Sequence, residues 1–239
     1  MNEKSFDAKA LEKWKRKHVI SVYKNLGLSY NGKASTEQLC EALIEKKVEL
    51  GYDAIVAKIQ NQLKLGDISL KIATTLSGKR RKKAMTKIYA EGIDVETLGK
   101  VIDHVTFLNT PENLKVNLSV CPEHYALVPR EEVLEVIEKT GNAPFPMQFF
   151  IQFNEEEGIQ TPRDEEYPYQ IVGIAKLKGG TIIGGVRHQF RNVEQGIEAI
   201  TCVEFPALCP NSIVKDHQIH LAVEWSGWIQ RAIDHQELL

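Results

Sequence analysis

A histidine set beside a carboxylate can move protons or hold a divalent cation, so such pairs are where chemistry is sought first. His220 and Glu224 form one pair, inside a run in which Ile219, Leu221, Val223 and Trp225 alternate with Gln218, His220, Ala222 and Glu224. Read with strand periodicity, the run puts His220 and Glu224 on one polar face. Glu204 and Arg187 reach the same face from neighbouring strands. In the catalytic reading His220 and Glu224 are the acid/base or metal pair, Glu204 supports them across the ladder, and Arg187 orients an anionic substrate. The plainer alternative is a solvated face, which antiparallel sheets commonly have.

Cys121 and His124 lie three apart at the end of a predicted strand, an arrangement that suits a thiol nucleophile or half of a metal site. Cys202, Cys209, His217 and His220 add further ligand types, but their spacing follows no compact zinc pattern, so neither a metal nor another cofactor is expected. No GxxxxGK[ST], GxSxG or HExxH occurs. The cysteines lack any CxxC pair, and the start of the chain has no apolar leader, so reduced thiols and a cytoplasmic location are expected, with no membrane partner.

A sheet must position the polar face. Tyr169 to Leu177 is apolar and β-rich, Gly179 and Gly180 occupy a two-residue turn, and Thr181 to Arg191 returns. On the return strand Val186, His188 and Phe190 share one face and Arg187, Gln189 and Arg191 the other. A third run sets Ile197, Ala199, Thr201, Val203 and Phe205 against Glu198, Ile200, Cys202 and Glu204, and the run from His217 reads as a fourth strand. Ahead of these, Leu114 to Val120 reads as a strand, the stretch from Arg130 as a helix and Met147 to Phe153 as a strand. The fold class expected is α+β, with a basic helical domain over 1–110, a boundary at Thr110–Pro111, and an acidic, mainly antiparallel domain over 111–239 that carries one packed helix.

Charge divides along the same line. Residues 1–110 hold 20 Lys+Arg against 13 Asp+Glu, and residues 111–239 hold 10 against 19. A basic module facing an anion, or two faces that attract each other within or between chains, would produce this split. Leu11, Trp14, His18, Val22 and Leu26 mark a first helix, and Ser35 with Gln38 forms a capping box for a second. Helices through Ile55 to Leu63 and Ile68 to Leu76 are expected on either side of Gly66. Asp94 caps another helix, with Leu98, Val101, Ile102 and Val105 inward. Lys79, Arg80, Arg81, Lys82 and Lys83, with Lys87 beyond, form the densest charge cluster and read as a helix start, where cations oppose the helix dipole unless an anion binds.

Val19, Val22 and Leu26 precede Gly27–Leu28, then come Gly32–Lys33, Leu39 and Leu43. Residues 17–47 thereby resemble the SAP-like helix–extended-loop–helix modules, which bind nucleic acid, although Leu39 comes later after the loop than in that family. The resemblance implies phosphate contacts at Lys17, Lys24 and Lys33. Joined to the run from Lys79 to Lys83 and Lys87, it gives the leading expectation: a DNA- or RNA-binding regulatory or accessory protein whose sheet half contacts a protein partner or itself. The alternatives are an enzyme or small-ligand binder with its site on the polar sheet face, and an assembly protein using its charge-complementary halves.

Overall fold

The computed structural model describes residues 5–107, 110–131 and 133–234. In chain order its elements are α1 (Ala8–Asn25), α2 (Thr36–Ser77), β1 (Arg81–Glu91), α3 (Val95–Phe107), α4 (Pro111–Ser119), β2 (His124–Arg130), β3 (Val133–Glu138), β4 (Met147–Phe153), β5 (Tyr169–Lys176), β6 (Ile182–Val193), β7 (Gly196–Pro206) and α5 (Asn211–Asp234). The class is α+β: a helical N-terminal region, a seven-stranded antiparallel sheet and a C-terminal helix.

The sheet order is β1-β7-β6-β5-β4-β3-β2. Its centre is the meander read from sequence. Gly180 turns the β5–β6 hairpin at φ 82°, a conformation that costs glycine nothing. The register sets Val186 opposite Val203 and Phe190 opposite Ala199, so the apolar faces of β6 and β7 coincide. Phe190, Ile197, Ala199 and Phe205 join α3 and α5 in one core, and α1 with the first half of α2 closes a second core on Tyr125, Ala126 and Ile137.

Several expected elements differ, each for a local reason. The cations at 81–83 open a strand: Ala84 and Thr86 are buried, whereas Met85, Lys87 and Tyr89 point outward, a period of two that the charges masked. This strand pairs with β7 along its whole length, so the sheet recruits a segment from before residue 110 and the expected boundary does not separate the layers. Thr110–Pro111, taken as an ending, starts a helix. The Thr110 hydroxyl accepts from the Asn113 N–H at 3.1 Å and Pro111 takes the first turn, which makes 111–119 helical where a strand was expected. The helix expected from Arg130 is a β2–β3 hairpin, with Glu131 at φ 50° in its turn.

The largest difference is at the C-terminal end. The run from His217 is not a strand but part of the 24-residue helix α5, whose buried residues Ile213, Val214, His217, Leu221, Trp225, Trp228 and Ala232 recur every three or four positions. The alternation across 218–225 was a short window on that longer period. Helix α5 crosses the inner face of β1, where the Thr86 hydroxyl donates to the Gln218 carbonyl at 2.7 Å.

Helix α2 also runs on through Gly66, where a break was expected; its irregular point is Gly51 at φ 71°. A Cβ on Gly66 would lie 2.6 Å from the Pro146 carbonyl oxygen and 3.1 Å from Met147 Cγ. Glycine there is a close approach of helix to strand. On an open helix surface a Gly→Ala change stabilises by about 1 kcal/mol. Gly66→Ala is expected to destabilise instead, by about 1–3 kcal/mol, because the added methyl group forces the backbones apart. A lower urea midpoint at unchanged slope checks this, and a higher midpoint would mean that the contact yields freely.

Candidate metal centre

Two ordinary periodicities bring four potential metal ligands together. In the β2–β3 ladder His124 stands opposite Glu138. Leu134, Val136 and Glu138 share one face of β3, so a carboxylate ends an otherwise apolar column. On α5, His220 and Glu224 are one helical turn apart and share a face. The helix lays this pair against the ladder pair. His124 Nε2 is 3.4 Å from Glu224 Oε1 and 3.7 Å from Glu138 Oε2, and His220 Nε2 is 3.8 Å from Glu224 Oε2 and 3.9 Å from Glu138 Oε2.

The far side of three of the four groups is tied down. His124 Nδ1 lies 3.3 Å from the Asn117 carbonyl, which only accepts, so the proton sits on Nδ1 and Nε2 keeps a lone pair. His220 Nδ1 donates to Glu123 Oε2 at 2.9 Å, and its Nε2 is buried with no hydrogen-bond partner among the described residues. Burial would lower the His220 pKa, but Cys121, Glu123 and Glu138 outweigh burial and hold it well above the usual value, so a cation at Nε2 would have to displace a proton. The Thr140 hydroxyl donates to Glu138 Oε1 at 3.1 Å and leaves Oε2 to the cluster. Metal-binding histidines characteristically carry such a partner on the second ring nitrogen.

Three of the four separations exceed hydrogen-bonding distance, and the 3.4 Å contact is long for one. A tetrahedral ion with ligand arms of 2.0–2.2 Å places donor atoms about 3.3–3.6 Å apart, so these groups, with Glu224 meeting His124 through Oε1 and His220 through Oε2, would have to draw inward by a few tenths of an ångström to share a cation. Two imidazoles and two carboxylates suit Zn²⁺ or a similar first-row divalent ion. Burial also calls for positive charge. It pushes the Glu138 carboxyl above its usual range, while at Glu224 the neighbouring His124 and His220 overcome burial and bring the pKa down to about 2.

Two nearby groups fit less well. Cys121 Sγ approaches His220 at 3.7 Å on the Nδ1 side, away from Nε2. That nitrogen also meets Glu123, so the thiol, carboxylate and imidazole do not form a triad, which needs one partner on each ring nitrogen. Burial raises the Cys121 pKa, further weakening any nucleophile reading. His217 stacks on His220 with centroids 4.5 Å apart and planes at 23°, and with Glu138 the two rings bring one ligand atom each to within 4.8 Å of one another, as do Cys121, His124 and His220.

The cluster lies in the wall of a cavity of about 800 Å³, within the range of small-molecule sites. Leu134, Val136, Phe149, Ile151, Val186 and Phe190 make much of the lining apolar. Three neutral rings add polar atoms. The Cys202 N–H donates to His188 Nδ1 at 3.2 Å, so the His188 proton is on Nε2, and burial lowers its pKa to about 4. His217 Nδ1 and Trp225 Nε1 are buried with no hydrogen-bond partner among the described residues, and burial also holds His217 neutral.

Of the site residues expected from sequence, His220 and Glu224 belong here, but on a helix. Glu204 and Arg187 do not contact them: both side chains bond on the outer face of the sheet, where Glu204 accepts from the Gln160 N–H at 2.9 Å and Arg187 pairs with Glu156 at 2.5 Å, although Glu204 also contributes to the cavity lining. Among the expected phosphate contacts, Lys17, Lys24, Lys33, Lys79, Arg80 and Lys87 are exposed and Arg81, Lys82 and Lys83 are half-buried. Sequence reasoning missed Glu138, whose signal was a carboxylate in phase with Leu134 and Val136, and Glu123. It weighed His124 only with Cys121. No protein-family model and no curated protein matches this chain.

His18, on α1, bears on the cluster through Glu123 and has a pH consequence. Burial alone would lower its pKa, but hydrogen bonds to Asp216 and Glu123 outweigh it and hold the pKa above the usual value. A raised folded pKa means that the folded state holds the proton more tightly, so the resulting stability is complete below the unfolded value near 6.5 and is lost as pH rises through the folded one. The stability gap between the wild-type protein and His18→Gln is therefore expected to be widest near pH 6 and to narrow under alkaline conditions. Parallel urea melts across pH check this; a gap that widens with pH contradicts it.

Proposed function

We propose that this protein is a metal-dependent hydrolase of a small, largely apolar substrate. The observation that carries the reading is the ring of four nitrogen–oxygen separations of 3.4–3.9 Å among His124, Glu138, His220 and Glu224 in the wall of a cavity. Structural zinc sites are usually closed and cysteine-rich, whereas this set is nitrogen and oxygen and borders open space, as catalytic sites do. A divalent ion held there supplies Lewis acidity and lowers the pKa of a bound water to about 7.

The chain's own side chains account for the remainder. His124 and His220 present Nε2 from rings held at Nδ1 by Asn117 and Glu123, and Glu138 and Glu224 supply the balancing charge. The apolar lining excludes water and selects for an apolar body. His188 and Trp225, neutral N–H donors with ring centroids 4.8 Å apart, favour an acceptor oxygen such as a carbonyl, on which negative charge builds during hydrolysis.

Nucleic-acid binding, the leading expectation from sequence, has less behind it. Cations of the run at 79–83 are partly engaged within the fold: Lys82 donates to the Cys209 carbonyl at 2.7 Å, Arg81 to that of Gly78 at 2.9 Å and Lys83 to that of Gln160 at 3.2 Å. The resemblance at 17–47 and the charge split are its remaining supports.

Metal analysis of chelator-stripped protein returned to Zn²⁺ tests the hydrolase reading. One ion per chain is expected. His124→Ala and Glu224→Gln are each expected to weaken binding by more than the roughly 10–100-fold that loss of an outer partner costs. Metal-dependent turnover is expected among neutral aryl and alkyl esters of graded size, and to vanish in both variants. Absence of stoichiometric metal, or retention unaffected by either substitution, would sink the reading.

A further inference from the structure

The metal cluster has a support that comes from the opposite end of the chain. His18, on α1, is 2% exposed and stacks on Trp14 with centroids 4.0 Å apart. Its Nδ1 lies 2.6 Å from Glu123 Oε1 and its Nε2 lies 3.2 Å from Asp216 Oδ2. Both ring nitrogens therefore face carboxylates: Nδ1 donates to Glu123, while Nε2 lies within ion-pair distance of Asp216 without a well-aligned hydrogen bond. The other oxygen of Glu123 faces the cluster: Oε2 accepts from His220 Nδ1 at 2.9 Å and from the Gly141 N–H at 3.2 Å. Asp216 is held in turn, by Trp14 Nε1 and by Asn142 Nδ2, each at 3.0 Å.

We propose that His18 is a positioning residue for the metal centre, clamping Glu123 so that its second oxygen holds the His220 ring by Nδ1 and keeps Nε2 aimed at the cluster. The inference rests on the metal reading above. A carboxylate turns readily about its last bond, and Glu123 Oε1 has no other partner in reach than His18 among the described residues. When His18 is removed, Oε1 is left unpaired at a fully buried site and the carboxylate turns to find another donor, taking Oε2 off His220. His220 then loses the contact that holds its ring and aims Nε2 at the cluster. The first helix, far from the cavity in sequence, thus acts on metal affinity through two hydrogen bonds in series.

The experiment is competition for Zn²⁺ and Co²⁺ between the full-length protein and a chromophoric chelator, with the Co²⁺ absorption spectrum recorded alongside. His18→Phe keeps a ring to stack on Trp14 but loses the hydrogen bond to Glu123 and the contact with Asp216, and its metal affinity is expected to fall about 10–100-fold with an altered Co²⁺ spectrum. His18→Gln restores one donor and is expected to recover part of the loss. Val19→Ala, fully buried on the same helix but away from Glu123, is the control; it lowers stability and is expected to leave affinity and spectrum unchanged. Should His18→Phe fail to fold, Asp216→Ala releases the other end of the clamp from a half-buried site and is expected to weaken binding severalfold. Wild-type affinity in the folded clamp variant, or an equal loss in Val19→Ala, overturns the positioning role while the metal reading stands. No metal binding by the wild-type protein overturns the metal reading itself.

Discussion

The constraint on which this structure turns is the electrical balance of a buried cluster of carboxylates and imidazoles. Glu123, Glu138 and Glu224 meet His18, His124 and His220 where α5 crosses the end of the β2–β3 ladder. A lone carboxylate at such a place would be too costly to ionise, so each must find a donor or a cation. Nearby elements are arranged to supply them. Lys47, fully buried on α2, donates to the carbonyls of Pro122 and His124 and brings a further positive group to the same loop, with burial pulling its pKa down to about 8. The helical region is therefore part of the site's support, although it contributes no ligand to it.

The apolar cavity and the cluster reinforce each other. Removing water strengthens every charge interaction around the four ligands, and the same dryness keeps His188 and His217 neutral, so they stay donors or acceptors rather than competing cations. The sheet builds this asymmetry by simple alternation. Its inner face carries Val186, His188 and Phe190 toward the cavity, while Arg187 and Arg191 on the outer face pair with Glu156, Glu166 and Glu198. Ion pairs outside are thus held apart from the buried histidine–carboxylate cluster inside by one strand thickness.

Much of the sheet was legible because β5, β6 and β7 alternate cleanly over long runs separated by glycine turns. The site was legible only in part. His220 and Glu224 share a face although their element is a helix and not a strand, because a spacing of four places two residues on one face of either. Glu204 and Arg187 had no such protection. Their grouping with His220 required a fourth strand, and once 211–234 folds as a helix on the inner face they remain outside. Glu138 was hidden by the helical reading of 130–137; read as a strand, the Leu134–Val136–Glu138 column carries its own signal. Glu123 and His18 could not be joined from sequence, since a contact between residues so distant in the chain leaves no local pattern.

The charge asymmetry between the two halves follows the same logic. A basic first half and an acidic second half invite an outside anion as an explanation, yet many of these charges meet across the chain. Lys87 pairs with Glu198, His18 with Glu123 and Asp216, and Lys17 lies 3.7 Å from Asp216. β1 is the structural reason: by adding a cationic strand beside β7 it carries Lys83 to the register position of Glu204 and places Lys87 near Glu198. A chain that must hold several carboxylates near or beneath its surface gains by drawing the compensating cations from a segment laid alongside them, since opposite charges fixed by backbone pairing need not be ordered again side chain by side chain.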